Sequence, residues 1–303
     1  MYTILLYYKY VKITYPKREM KAQRKICEEL GLKGRIIVAK EGINGTVEGL
    51  TENTQKYMEF MSKDKRFKDI HWKKSVGTGS AFPKLSVKVR DEIVSLHLGE
   101  KDIDPNTTTG RYLEPDELHA WFESNKEFYI VDMRNDYEYL SGRFENSVLP
   151  GLENFRDLKK ELPRLEHLKN KTVLTVCTGG VRCEKASGFL LLSGFSDVYQ
   201  LKGGIVSYME KYPNENFKGS LYVFDGRVTM GFNMDDPERE IVGTCEKCFA
   251  KSERYINCST VGCHRHFIMC ESCLDPDGKG VCPNGCDYRR KRQRENSVNS
   301  YDR

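Results

Sequence analysis

Beyond residue 240 the cysteines come in four close pairs, Cys245 and Cys248, Cys258 and Cys263, Cys270 and Cys273, Cys282 and Cys286. This spacing constrains the last third of the chain more than any other feature. Each pair lets two thiolates of one tight turn reach the same ion, and four pairs supply two tetrahedral zinc sites of four cysteines each. The alternative, disulfides, needs an oxidising compartment. The start, Met1 to Tyr10, lacks the basic segment and small-residue cleavage site of a secretory signal, so a cytoplasmic location is expected. The expected zinc is structural, two ions, because no ligand position is left open. The first pair can join the third and the second the fourth, or neighbours can join in sequence; spacing alone leaves both open. His264 and His266 lie among the pairs and could replace a cysteine ligand, though histidines surplus to complete quartets are more often bystanders.

Only Cys27, Cys177 and Cys183 precede this region. Cys177 follows Thr172-Val173-Leu174-Thr175-Val176, a β-branched apolar run that reads as a buried parallel strand. After it come Thr178, Gly179, Gly180, Val181 and Arg182, then a helical stretch from Glu184 to Leu192. A cysteine there meets the N–H groups of a loop and a helix N-terminus, which favour a thiolate or a bound anion, and Arg182 adds a fixed positive charge. The alternative is an inert buried thiol in a strand-to-helix turn.

The first hundred residues carry their own order of elements. A strand at residues 2–9, a helix at 21–30 stopped by Gly31, and a strand at 35–39 lead to Asn44-Gly45, a strong type I′ turn signal. A second helix at 54–63 and strands at 69–74 and 85–89 follow. The order βαββαβ with one added strand predicts a ferredoxin-like α+β domain. The whole chain is then α/β in class. Its expected division is residues 1–105 (ferredoxin-like), 106–218 (α/β with a parallel sheet), 219–288 (connecting segment and cysteine-rich zinc module) and 289–303 (a basic polar tail).

Composition narrows the function classes. With 39 % hydrophobic and 31 % charged residues and no long apolar run, no membrane role is expected. The net charge of +5 permits a polyanionic partner without demanding one. The tail Arg289-Arg290-Lys291-Arg292-Gln293-Arg294 is either a solvated segment or a phosphate-holding one.

The loop around Cys177 resembles the active-site loop of rhodanese domains. Phe128 to Leu140, a strand ending in Asp132-Met133-Arg134 before a Glu-aromatic pair, resembles the rhodanese opening motif, and Leu201-Lys202-Gly203-Gly204 its late motif. One departure is Gly142-Arg143-Phe144-Glu145-Asn146-Ser147, where many rhodaneses carry Gly-His-Ile-x-Gly-Ala. Taken together with Lys40-Glu41-Gly42-Ile43-Asn44-Gly45-Thr46 and Val223-Phe224-Asp225-Gly226-Arg227-Val228, the chain resembles the tRNA uridine hydroxylase family of rhodanese-related proteins. The resemblance implies an oxidoreductase that uses molecular oxygen as co-substrate to convert the wobble uridine of tRNA to 5-hydroxyuridine, with the cysteine at position 177 required. It identifies no organic cofactor. Members often carry fewer cysteine pairs at the carboxyl end.

Within that frame Cys177 is the candidate nucleophile that adds to carbon 6 of uracil. Another possibility is an oxygen-carrying sulfenic acid resolved by Cys183, against which Cys183 is simply a small residue of the first helical turn. Arg182 either holds a phosphate or the uracil oxygens or braces the loop, and Asp132 and Arg134 support it. Candidates for contact with the anticodon loop are Arg35, Lys40, Asn44, Lys73, Lys74 and Lys84, with Trp72 and Phe82 as possible stacking surfaces. For each lysine the alternative is a solvated face, and for Trp72 core packing. The rival enzyme class is a thiosulfate-type sulfurtransferase carrying a persulfide on Cys177. A zinc-bearing adaptor with a vestigial rhodanese domain is the non-enzymatic reading.

Overall fold

Alternation along the first strand sets the architecture of the amino-terminal part. In the computed structural model, which describes residues 1–99, 102–124, 126–263 and 265–283, β1 (Tyr2–Tyr10) turns Leu5 and Tyr7 to one face and Leu6 and Tyr8 to the other. It leads through α1 (Pro16–Glu29), β2 (Lys33–Ala39), β3 (Gly42–Leu50), α2 (Thr51–Ser62) and β4 (Lys73–Gly77) to β5 (Leu85–Val89). The strand order is β4-β1-β3-β2-β5, antiparallel except for the parallel pair β2 and β5. That is the ferredoxin-like sandwich with one strand added. Leu5, Tyr7, Ile36, Val38, Ile43 and Val47 bury one sheet face against Cys27 of α1 and Tyr57 and Met61 of α2. Each fully buried aliphatic side chain of this kind contributes about 1.5–3 kcal/mol.

Two expectations need correction here. Asn44-Gly45 is not the hairpin turn: the turn lies at Lys40 and Glu41, Ala39 pairs with Gly42, and Asn44-Gly45 run inside β3. The physical reason is space. The Tyr7 ring packs over Gly45 so closely that a Cβ there would lie 2.6 Å from its Cζ. The first helix also begins five residues earlier than its apolar pattern suggests, with Pro16 in its first turn, where the missing N–H costs nothing.

The same compact unit includes a second sheet. Its strands β6 (Arg111–Leu113), β7 (Tyr129–Asp132), β9 (Thr172–Val176) and β10 (Asp197–Leu201) are ordered β6-β10-β9-β7 and all parallel. Helices α3 (Pro115–Glu123), α4 (Leu158–Glu161), α5 (Val181–Leu192) and α6 (Gly204–Lys211) complete it. Val131, Val173, Ala186, Leu190 and Val198 lie in its core.

A second unit gathers residues 137–145 and 214–222 with the described residues of 228–283. In it β8 (Gly142–Phe144) pairs with β11 (Phe217–Gly219), β12 (Leu221–Tyr222) with β13 (Thr229–Met230), and β14 (Tyr255–Asn257) with β15 (His266–Ile268). Its small core is Phe267 and Met269 with the sulfurs of Cys245, Cys258 and Cys282. Among the described residues no helix is long and apolar enough to cross a membrane.

Candidate active site and metal centres

Strand β9 is central in its sheet and buried, so it delivers Cys177 to the sheet's carboxyl edge with the residue fully buried. The chain then turns through Gly180, whose φ of +98° a side chain would resist, and α5 starts. The Gly180 N–H donates to Cys177 Sγ at 3.2 Å. The late Gly203-Gly204 pair holds this turn from behind. Ile205 N–H donates to the Cys177 carbonyl at 2.9 Å and Val206 N–H to that of Thr178 at 3.1 Å. A Cβ on Gly204 would lie 2.6 Å from Gly180 N, so the approach requires glycine.

Burial by itself would push the Cys177 thiol up. The hydrogen bond from the Cys183 side chain, the Arg182 charge and the N–H groups of Cys183 and Arg182 outweigh it and bring Cys177 down to about 6. Cys183 moves the opposite way, well above its ordinary value, through its own burial and the neighbouring thiolate. The pair therefore shares one proton, kept on Cys183. Arg182 is buried, its guanidinium 3.4 Å from Thr178 Oγ1 and 5.9 Å from the ring centroid of Phe224, which is 44 % exposed. Asp132 and Arg134, both fully buried, form an ion pair at 2.6 Å at the end of β7.

The free face of the amino-terminal sheet roofs the loop. Leu6 Cδ2 lies 2.8 Å from where a Gly179 Cβ would stand, and the Tyr8 hydroxyl 3.0 Å from that of Gly180. Tyr10 donates to the Val181 carbonyl at 3.2 Å. Glu184, buried on α5, accepts from Tyr8 at 2.9 Å, Tyr112 at 3.0 Å and Gln200 at 3.1 Å. Lys185 is fully buried between Glu41 at 2.8 Å, Glu92 at 3.1 Å and Asp102 at 2.9 Å. None of these partners has a local sequence signal: Tyr8 and Glu41 come from the amino-terminal sheet and its turn, Tyr112 and Gln200 from the second sheet, and Glu92 and Asp102 from the chain between them.

The candidate RNA contacts separate on this framework. Strand register aligns Lys73, Leu6, Thr46 and Arg35 in one row across the face toward the loop, and Tyr8 pairs with Asn44 in the next. Lys74, one residue on, points to the other face, while Lys40 lies in the β2–β3 turn and Lys84 before β5. Arg35, Lys40, Lys74 and Lys84 are exposed, and Lys73 is buried. Phe82 is not a stacking surface: it is 1 % exposed, packed with Ile4 and Ala81. Trp72 packs against Tyr7 at 4.6 Å between ring centroids.

Residues 2–93 match the UPF0176 acylphosphatase like domain, 114–211 the Rhodanese-like domain and 218–287 the Rhodanase C-terminal family. A tRNA uridine(34) hydroxylase of Cytophaga hutchinsonii is 44 % identical over 300 residues, spanning 99 % of this chain and 94 % of the relative. The chain belongs to the tRNA uridine(34) hydroxylase family. A further tRNA uridine(34) hydroxylase, from Bacillus licheniformis, is 46 % identical over 277 residues, 89 % of this chain and 84 % of its own.

As a member of this hydroxylase family, the chain also has two cysteine clusters that could hold metal ions. The sulfurs of Cys245, Cys248, Cys270 and Cys273 lie within 4.8 Å of one another, as do those of Cys258, Cys263 and Cys282. The first pair thus meets the third, and the second meets Cys282. A tetrahedral Zn–S shell with bonds of about 2.3 Å separates its sulfurs by about 3.8 Å, and the Cys248–Cys270 and Cys263–Cys282 separations are 3.5 and 3.9 Å. The donors fit zinc. His266 is not in either cluster; it stacks on Tyr255 and hydrogen-bonds Asn257 at 3.1 Å. Cys286, His264 and the basic run 289–294 lie outside the described residues.

Proposed function

We infer that this protein is a cytoplasmic tRNA-modifying oxidoreductase that hydroxylates carbon 5 of uridine 34 in the anticodon loop, with Cys177 as nucleophile. The observation that carries the reading is the thiolate cradle at Cys177 in a chain 44 % identical over 300 residues to a tRNA uridine(34) hydroxylase. Carbon 5 of uracil is a weak nucleophile until something adds to carbon 6. When the Cys177 thiolate adds, the S–C6 bond forms, the C5=C6 π bond breaks, and its electron pair moves to the oxygen on carbon 4, making carbon 5 electron-rich. Molecular oxygen then supplies the hydroxyl atom. Its second atom leaves as water, with two electrons and two protons from an external donor; loss of the proton on carbon 5 then re-forms the C5=C6 bond as the S–C6 bond breaks and the Cys177 thiolate leaves.

The row Lys73-Leu6-Thr46-Arg35 and the exposed Phe224 beside Arg182 give the nucleotide a charged and a stacking surface next to the loop. Zinc, one ion per cysteine cluster, is structural and supplies folding energy to the carboxyl-terminal unit. Cys245, Cys248, Cys270 and Cys273 would hold one ion, and Cys258, Cys263 and Cys282 with Cys286 the other.

Oxygen-18 gas tests the reaction. Purified enzyme and unmodified tRNA should yield 5-hydroxyuridine carrying the label, with no sulfur donor needed. Undiminished modification under anoxia, with sulfur from labelled thiosulfate entering the base, would overturn the hydroxylase and establish a persulfide-carrying sulfurtransferase.

A further inference from the structure

Lys73 is a buried cation with no anion paired to it by contact. The residue is 5 % exposed, yet among the described residues no carboxylate lies within ion-pair distance and no hydrogen bond reaches its ammonium, which lies 4.8 Å from the centroid of the Tyr8 ring. Burying an ammonium without a partner is costly, and such groups persist where an unlike charge or a reaction needs them. The two β1 residues next to Lys73 identify where it sits. Leu6, its cross-strand partner, rests on Gly179, and Tyr8, whose ring it faces, rests on Gly180. Lys73 thus faces the loop that carries Cys177.

Two anions bear on it, Cys177 first and Glu184 second. Around Lys73 and Cys177 together stand Arg182, Cys183 and Glu184 of α5, Tyr8 of β1, Tyr112 of β6 and His71 of the chain before β4. Glu184 is already supplied by the neutral donors Tyr8, Tyr112 and Gln200, and Arg182 reaches Thr178. Burial pushes Lys73 down to about 8, while the Cys177 and Glu184 charges hold it up. An acid of that strength is well matched to work near neutral pH.

We propose that Lys73, beside Arg182, is a second counter-ion of the Cys177 thiolate and, as the thiolate adds to carbon 6, the hydrogen-bond donor to the oxygen on carbon 4 that receives the displaced electron pair. The first role concerns the protein alone; the second rests on the hydroxylase reading. No proton need be transferred in this step: the ammonium stabilises negative charge first on sulfur and then on oxygen.

Two titrations and one rate measurement test this. In protein labelled with carbon-13 at cysteine Cβ, with the resonance assigned through Cys177→Ser, Lys73→Met should raise the Cys177 titration midpoint by about one pH unit, as loss of a nearby opposite charge does, and Lys73→Arg should leave it near the wild-type value. Reciprocally, Cys177→Ser should lower the Lys73 midpoint read by nitrogen-15 at Nζ. With tRNA, Lys73→Met should cut kcat about 100-fold with KM changed less than about threefold. A Cys177 midpoint unmoved by Lys73→Met, or by Lys73→Gln should the Met variant not fold, overturns the counter-ion role. A rise in KM at unchanged kcat overturns the donor role and makes Lys73 a binding contact. Shifted titrations in a protein whose wild type forms no 5-hydroxyuridine would refute the hydroxylase while sustaining the counter-ion.

Discussion

The Tyr8 hydroxyl donates to Glu184 Oε1 at 2.9 Å, a bond between residues 176 positions apart. It joins the roof of the cysteine loop to the helix that follows the cysteine. Burial and the facing Glu184 carboxylate push the Tyr8 phenol well above its ordinary value, so it remains a donor at any pH the enzyme meets.

Tyr8→Phe removes that donor and leaves Glu184 with fewer partners in a buried site. The expected cost is about 1–2 kcal/mol of stability, measured by urea unfolding, together with slower modification because Tyr8 also covers Gly180 and faces Lys73. Wild-type stability in the variant would show that the bond adds nothing.

Cys177 gives stability a pH dependence with a definite sign. Its folded value lies at about 6, below the ordinary thiol value of about 8.5. Between the two the unfolded chain binds the extra proton, so stability rises with pH across that window, is complete above it, and is lost as pH falls through 6. The urea midpoint of the wild type should climb over this range more than that of Cys177→Ser, and the modification rate should fall about tenfold per unit below 6. Parallel curves for the two proteins would contradict the thiolate assignment.

Lys185 pairs with three carboxylates at once. Lys185→Met would leave Glu41, Glu92 and Asp102 close together without a cation. Breaking a buried pair by removing one partner costs about 3–5 kcal/mol, and the lower end applies because Asp102 is partly exposed. Thermal unfolding of the variant should occur at clearly lower temperature than wild type, with the difference narrowing as the pH is lowered and the carboxylates protonate.

Metal content is the fourth test. Reduced, freshly purified protein should carry about two zinc ions, and Cys270→Ser should lose about one and destabilise the carboxyl-terminal unit. Absence of zinc by elemental analysis would make the two cysteine clusters something other than metal centres.

The elements that carry the chemistry were legible because they are local. The apolar run before Cys177, the two glycines after it and the Gly203-Gly204 pair each declare themselves within a few residues, and β9, the loop and α6 lie there. The pattern of Asn44-Gly45 misled because the same dipeptide that suits a turn also suits a strand that must lie beneath Tyr7. Lys73 read as one more lysine, since nothing near it in sequence says that strand pairing places it opposite Leu6 on the covered face. Most partners of Glu184 and Lys185 were invisible for the same reason: apart from Gln200, 16 positions from Glu184, those named are supplied by segments some 70 to 180 positions away.

The Lys185 arrangement also bears on how the chain is made. Its three acidic partners all precede it, and Asp102 does so by 83 residues. At roughly 5–20 residues per second, a nascent chain therefore holds Glu41, Glu92 and Asp102 for roughly 4–17 s before their cation is synthesised. The ferredoxin-like part can form its own strands as it emerges, but its closure over the cysteine loop waits for α5, so the reactive thiol is enclosed only after the residues that hold it have all been translated.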